Sequence, residues 1–518
     1  MAPVFIPNKM CRPELGIRAV GSAFPESILV VLTEATFKGI VWISGSEGVQ
    51  AVLRVLVIAL MARLIGPESF GLMAAAVVVL SLGDILSQVG TGAALVQSRE
   101  ITERHIGSAY ILSAAIGTGL GLALWFSRDL IEDGLAMSGL GEILKALAWV
   151  LPVSAIGKPA SRLLQRELKF RYIALAESGS YFVGWVVVRP GLALLGLDVW
   201  ALVAAHGVAT LSLALSMLVA SRASITIQSS WAATRDLVSF GGGVSLSTVL
   251  LFIGMNLDRL FIGHAFGAYQ LGLYSRAFDL MGRVYTVSDN TISKTLFPAF
   301  SSRQDQAARL KPAYFRAMKI VGLACLTIAA VTVVLSEEIV TLLFGRRWLE
   351  ASPILQVAIL ILLPRVVGKL SATLAFGLGK AYPVAGIRFA YALLALTGLW
   401  LTSSHSVLLT AQVILFVEVG HAGMLTYLSL RLLGEPLSFL ARQFASWIPF
   451  TALVLVLALL VKAVALHLDV GGVSVLVTVC AAVALGSVLC TRIAPQLFIG
   501  DEGLWVLHRV GWPYGRQK

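Results

Sequence analysis

The sequence predicts an all-α polytopic membrane protein of about 14 transmembrane helices, each roughly 20 apolar residues long, the length that crosses a bilayer. Three observations carry that prediction. Of 518 residues, 58% are hydrophobic and 13% charged, and mean hydropathy is +0.86, whereas a soluble domain holds about 25% charged residues. The apolar residues fall in membrane-length stretches joined by short polar turns. Lys and Arg gather in alternate turns, the bias that orients multi-pass chains.

Taken in order, spans are expected at 38–64, 69–96, 107–127, 143–165, 172–195, 198–220, 237–262, 271–298, 314–335, 352–378, 381–402, 407–430, 444–466 and 472–491. Lys158 and Arg162 interrupt the fourth, and Arg283 and Lys294 the eighth. Segment 28–33 is too short to span, and residues 1–35 carry Lys9, Arg12 and Arg18 without a cleavage site, so they read as an N-terminal extension. An internal repeat organises the rest. Gly66-Pro67-Glu68-Ser69-Phe70-Gly71-Leu72 returns 201 residues later as Gly267-Ala268-Tyr269-Gln270-Leu271-Gly272-Leu273, with Ile65 on Phe266 and Ala76 on Ala277. A repeated helix–turn–helix in a membrane protein suggests two similar bundles packed around a central pathway, as in many transporters. The expected divisions are 36–235 (helices 1–6), 236–435 (helices 7–12), 436–495 (helices 13–14) and a tail, 496–518.

One set of connections carries most of the basic residues, among them Arg99, Arg104, Arg166, Lys169, Arg171, Arg303, Lys311, Arg431 and Arg492. The opposite set has only Arg63, Arg128, Arg346, Arg347 and Lys462. Both termini are therefore expected in the cytoplasm. This bias accounts for most of the net charge of +12 and argues against a nucleic-acid partner. Cys11, Cys325, Cys480 and Cys490 lack metal or disulfide spacing. No phosphate-binding loop of the ATPase type occurs, so direct ATP drive and a cofactor are not expected.

Ionisable groups inside hydrocarbon are costly and normally face a cavity or a partner. The basic candidates are Arg54, Arg189, Arg259, Arg283, Arg365, Lys369 and Arg388; the acidic ones are Glu47, Asp84, Glu177, Asp258, Asp279, Asp289 and Glu418. Arg365 and Lys369, four apart, share one helix face just after Pro364. They repel unless a pyrophosphate lies against them or an acid such as Glu418 or Asp84 neutralises them. Arg54 is expected at a cavity. Arg189 precedes Pro190, which either breaks a substrate-binding helix or places the guanidinium where it can snorkel. Asp258-Arg259 reads as an interfacial ion pair ending a helix, and Arg283 as either a cavity cation or the i,i+4 partner of Asp279. Asp84, Asp289 and Glu418 are candidate coupling carboxylates, with His421 on the same face as Glu418.

The run from Ala62 through Leu72, the stretch Gly90-Thr91-Gly92-Ala93-Ala94-Leu95-Val96-Gln97, the segment Asn256-Leu257-Asp258-Arg259-Leu260-Phe261-Ile262-Gly263 and Leu343-Phe344-Gly345 with Trp348 together resemble the polysaccharide transporter family. These are Wzx-type flippases of the multidrug/oligosaccharidyl-lipid/polysaccharide superfamily. The resemblance implies two six-helix lobes around a cavity, plus two C-terminal helices, and an outer re-entrant turn at Trp348. It implies passage of undecaprenyl-pyrophosphate-linked oligosaccharide units across the bacterial inner membrane for exopolysaccharide, capsule or O-antigen, with a polysaccharide polymerase and export machinery as further partners. It also implies a proton or sodium gradient as the drive. A multidrug exporter or a peptidoglycan-precursor flippase of the same superfamily is the alternative. An embedded glycosyltransferase is disfavoured, because the longest outer connection holds only Glu337, Glu338, Arg346, Arg347 and Glu350.

Overall fold

Pro67 starts helix α1 (Pro67–Leu86) where a fixed φ and a missing N–H cost nothing, after an extended Gly66 and with Glu68 in the first turn. The computed structural model describes residues 57–88, 95, 101–221, 228–296, 300, 307–402, 405–468 and 471–493. Most of the first expected span, with Arg54 and Glu47, lies outside them. The first half continues with α2 (Glu103–Leu135), α3 (Leu140–Leu147), α4 (Val150–Arg166), α5 (Phe170–Tyr181), α6 (Arg189–Leu194) and α7 (Asp198–Ser221). The expected fourth span is the pair α3 and α4, bent by 41°. Between α5 and α6 the chain widens into a π-helical stretch, Phe182–Val188. Pro190 follows at once. Its missing N–H and its ring are accommodated by the wider turn, so the segment bulges and does not break.

The second half opens with α8 (Trp231–Thr291), whose one non-helical residue is Gly267, at φ 80° and ψ 178°. An L side chain rarely adopts that conformation. The two spans expected at 237–262 and 271–298 are therefore two helices meeting at a glycine corner. Asp258 and Arg259 do not end a helix at the interface, since the helix continues to the corner and Asp258 is buried. Next come α9 (Ala307–Val334), α10 (Ser336–Leu343), a 3-10 turn (Arg346–Trp348), α11 (Ala351–Leu360), α12 (Leu362–Gly377), α13 (Ala381–Thr402), α14 (Val407–Leu433), α15 (Leu437–Ala445), α16 (Ile448–His467) and α17 (Gly472–Ile493).

Among the described residues, nine helices are long and apolar enough to cross a membrane, or ten with the bent pair. The other expected spans that are described are helical but irregular or charged: 170–194 contains the π stretch, and α8 carries Arg259, Arg276, Asp279 and Arg283. Large apolar side chains such as Phe126, Val219, Trp400 and Phe416 stand fully out from the fold. On a soluble protein so much exposed apolar surface would mark an interface; around a bundle of this length it is the lipid face.

The two copies of the repeat pack on each other. A Cβ on Gly71 would stand 1.7 Å from the carbonyl oxygen of Ala268, and a Cβ on Gly272 1.9 Å from that of Pro67. Gly71 matches Gly272, and Pro67 matches Ala268, at the same 201-residue offset. The contact is thus reciprocal: the sixth residue of each copy lies on the second residue of the other. Around it, Trp348 Nε1 donates to the Ala62 carbonyl at 2.8 Å and Arg63 to the Leu342 carbonyl at 3.1 Å. The Phe70 and Trp348 rings meet edge to face at 5.4 Å. This seam closes the end of the bundle that is poor in basic residues.

The last two helices pack on one another and on α9 through Ala330, Val334, Phe450, Val454, Val475 and Val479. Lys462 fixes them, reaching Glu338 Oε1 at 2.8 Å and the Val334 carbonyl at 2.7 Å.

Because an ordinary C···O contact is about 3.3–3.6 Å, a side chain at Gly71 must push α1 and α8 apart by roughly 1.5 Å. Gly71→Val and Gly272→Val are each expected to open the seam. With cysteines at positions 63 and 342, a bifunctional thiol reagent should cross-link the parent protein readily and either valine variant several-fold more slowly. Equal cross-linking would show that the crossing does not hold the seam.

Candidate functional site

A break at Ile361 separates α11 from α12, and Pro364 follows in the first turn of α12. The Arg365 N–H returns to the Ile361 carbonyl at 3.1 Å, so Arg365 and Lys369 project from a continuous helix just beyond the irregularity. α14 faces α12, started by Ser406 Oγ accepting the Leu409 N–H at 3.2 Å and closed by left-handed Gly434 at φ 70°. The second half of α8 and α13 complete the surround.

The acids that neutralise the pair are Glu418 and Asp289, on two different helices. Arg365 Nε donates to Glu418 Oε1 at 2.6 Å, and Lys369 Nζ lies 2.7 Å from Asp289 Oδ1. Tyr391 OH donates to Glu418 Oε1 at 3.3 Å, and His421 Nδ1 lies 3.7 Å from Glu418 Oε2. The Tyr391 and His421 rings pack with centroids 4.4 Å apart. The two pairs differ in enclosure. Side-chain exposure is 18% and 5% for Arg365 and Glu418, against 30% and 31% for Lys369 and Asp289. Breaking an enclosed pair strands a charge in low dielectric; the partners of an exposed one can be replaced by water or by another anion.

Nearly three turns before Asp289 on α8, Asp279 binds two guanidiniums, Arg259 Nη2 at 3.0 Å and Arg276 Nη2 at 3.0 Å. Spacing of four offered Arg283 as one alternative partner; these ion pairs of Asp279 come from Arg276 on the same face and from Arg259 across the Gly267 corner. Asp258 accepts a hydrogen bond from Tyr274 OH at 2.5 Å. Arg388, from α13, lies over the Phe376 ring at 5.4 Å.

The remaining candidates lie in the first half. Asp84 does not meet the Arg365 and Lys369 pair. It binds Lys158 Nζ at 2.8 Å and accepts the Ser154 hydroxyl at a cavity of about 370 Å³ lined also by Arg162, Glu177 and His206. Arg189 lies under the seam against Phe70 and Trp185. Sequence reasoning missed Arg276, Tyr274 and Tyr391. Arg276 stands three residues before Asp279, a spacing that marks a same-face pair; nothing in the sequence singles out the tyrosines.

The chain matches the family described as polysaccharide biosynthesis protein over residues 60–353. It is 25% identical over 343 residues to the lipopolysaccharide biosynthesis protein WzxC of Escherichia coli, covering 65% of this chain and 69% of that one. It is 24% identical over 317 residues to the teichuronic acid biosynthesis protein TuaB of Bacillus subtilis (57% and 62% covered). To the succinoglycan biosynthesis transport protein ExoT of Rhizobium meliloti it is 24% identical over 303 residues (58% and 61%). The alignments thus span about three fifths to two thirds of the relatives' lengths. Among solved structures, a lipid II flippase MurJ in an inward closed conformation superposes with a TM-score of 0.66 at 13% identity, covering 89% of this chain and 99% of that one. An inward-facing multidrug transporter of the MATE family gives 0.57 at 15% identity, with 76% and 98% covered. At such identities these structures establish the fold alone, which is that of the MATE and MurJ transporters. The family match extends over more than half of the sequence, and the chain belongs to the polysaccharide biosynthesis protein family.

Proposed function

We propose that the protein is a flippase for polyprenyl-pyrophosphate-linked oligosaccharide units in polysaccharide biosynthesis. Family membership sets the substrate class, and one observation carries the chemistry: Arg365 and Lys369 on a single helix face, each answered by an acid from a different helix. A pyrophosphate bearing sugars cannot enter hydrocarbon, because its charge and hydroxyls would lose their water. A polar, cationic interior substitutes for that water while the polyprenyl tail stays in lipid. In the second half Arg259, Arg276, Arg283, Arg365, Lys369 and Arg388 outnumber Asp258, Asp279, Asp289 and Glu418. That balance favours an anionic cargo over the cationic compounds a multidrug exporter carries.

Exposure ranks the roles. Arg365 with Glu418 holds α12 to α14. Lys369 exchanges Asp289 for a phosphate oxygen, since that pair is the open one. Freed Asp289 is then the group that takes up a proton or sodium ion, with Asp84 as a second coupling carboxylate and the ion gradient as the drive. The end rich in Lys and Arg faces the cytoplasm of a bacterial inner membrane, so the closed seam faces outward. Arg54, on the first span, joins the cavity cations in this reading, as do Arg283 and Arg388.

Two measurements test the assignment. In proteoliposomes carrying a polyprenyl-pyrophosphate oligosaccharide, Lys369→Gln is expected to slow flipping by about tenfold or more with little change in thermal stability, while Arg365→Gln lowers stability by about 3–5 kcal/mol because Glu418 stays enclosed without the guanidinium that balances its charge. Unchanged flipping by Lys369→Gln would remove it from the substrate path. In the same vesicles an inward-to-outward proton or sodium gradient is expected to change the initial rate of the parent protein, and Asp289→Asn to abolish that dependence. A gradient-independent parent rate would remove ion coupling from the mechanism.

A further inference from the structure

Arg189 is the one cation of the first half's interior that is almost wholly enclosed yet meets no carboxylate among the described residues. Its relative exposure is 6%. Its Cζ lies 5.2 Å from the Phe70 ring centroid and 5.2 Å from that of Trp185, and its Nε has no hydrogen-bond partner. Ring faces attract a cation, but more weakly than a carboxylate does when both are desolvated. Arg276 crowds the same ring, with its Cζ 4.7 Å from the Phe70 centroid. Two guanidiniums from opposite sides of the seam thus share one phenyl ring, and only Arg276 has a counter-ion, Asp279, which it shares with Arg259.

Phe70 is the residue before Gly71, and its other neighbour is Trp348. Separating α1 from α8 at the glycine crossing carries Arg276 and Trp348 away from Phe70, leaving the Arg189 side of the stack facing the gap. We propose that Arg189 anchors a second anion site, specific for a phosphate group, which is shut in this state and becomes available when the basic-poor end opens. Between them, Arg189, Arg276 and Arg259 have two carboxylates there, Asp279 and the Asp258 beside Arg259, so one positive charge is left over, which a phosphate group balances while accepting several guanidinium N–H groups. The flippase reading makes the carrier's pyrophosphate its occupant, held at the exit while Lys369 recovers Asp289. The phosphate of an ordinary anionic lipid has the same chemistry and is the other source to be tested.

Trp185 stacks on Arg189 and reports the site without any transport assay. Purified full-length Gly71→Val and Gly272→Val proteins are titrated with inorganic pyrophosphate, and the Trp185 signal is taken as the difference from matching Trp185→Phe variants. We expect about tenfold tighter binding by the seam-opened variants than by the parent, lost again with Arg189→Gln and largely kept with Arg189→Lys, where the charge remains. Thermal midpoints confirm that each variant is folded. Equal affinity with and without Arg189→Gln overturns the site, as does an absence of binding in variants whose cross-linking shows the seam open. In nanodiscs, polyprenyl pyrophosphate should give the signal and phosphatidylglycerol should not; an equal response to phosphatidylglycerol overturns the assignment to the carrier. Failure of the flippase reading would show separately, as absent flipping in vesicles with pyrophosphate binding intact.

Discussion

The close crossing of Gly71 over Ala268 and of Gly272 over Pro67 is the constraint on which the closed end depends. Between apolar helices in a bilayer no hydrophobic force favours contact, because lipid is as apolar as the side chains. Association there rests on close backbone approach and on polar contacts. With no Cβ at either glycine, the helices come near enough for Cα–H groups to meet carbonyl oxygens. Every neighbouring contact inherits its position from that approach: Trp348 on the Ala62 carbonyl, Arg63 on the Leu342 carbonyl, and Phe70 against Trp348. These are single hydrogen bonds and ring contacts of modest strength. A seam made of them is firm enough to exclude water and weak enough to separate, which a transporter of alternating access needs from a closed end.

Below the seam the dominant effect is electrostatic, and pairing decides which charges hold the fold and which are free to change partner. Glu418 is the most enclosed acid of the cluster and receives Arg365, Tyr391 and His421 together. Arg365 brings the charge that balances this enclosed carboxylate, so exchanging it would strand Glu418 in low dielectric and the corner resists change. Lys369 and Asp289 have one another and access to solvent. The same helix, α12, therefore carries a fixed cation and an exchangeable one a single turn apart. In the proposed function an incoming polyanion meets both, but displaces an acid from only one.

Much of this was legible in the sequence. The repeat at a 201-residue offset located both sides of the seam, and the apolar stretches located the long described helices, with several ends differing by about six to ten residues. Charge spacing picked out Arg365, Lys369, Asp289 and Glu418, all of which the fold brings to one region. Partner choice was not legible, for a physical reason. Spacing along one helix predicts neighbours on that helix, so Asp279 was offered Arg283, whereas its partners are Arg276 and, across the Gly267 corner, Arg259. Pairs between helices depend on axial rotation and height, which periodicity leaves open; Asp84 with Lys158 is another case. The π-helical stretch before Pro190 was also hidden, since a proline signals a broken ladder but not whether the chain bends or widens around it.

The backbone symmetry of the seam is not matched by its chemistry. Moving back by the repeat offset, Arg276, Asp279 and Arg283 on α8 correspond to Ala75, Val78 and Leu82 on α1, and Asp289 to Gln88 just after it. One of the two crossing helices thus carries charges at positions where its counterpart, which keeps Glu68 and Asp84, has none. In the proposed reading, a pathway between them would have one wall that binds an anion and another against which lipid or sugar slides. An anion held by α8 alone moves with α8, so separation of the helices does not pull it between two competing sites. Arg189 is the exception. It places a single unpaired cation on the apolar side, next to the crossing, where it is first met when that side moves away. The asymmetry thereby gives the pathway a direction: most of the positive charge lies on one wall below the seam, and the last cation lies on the other wall at the seam itself.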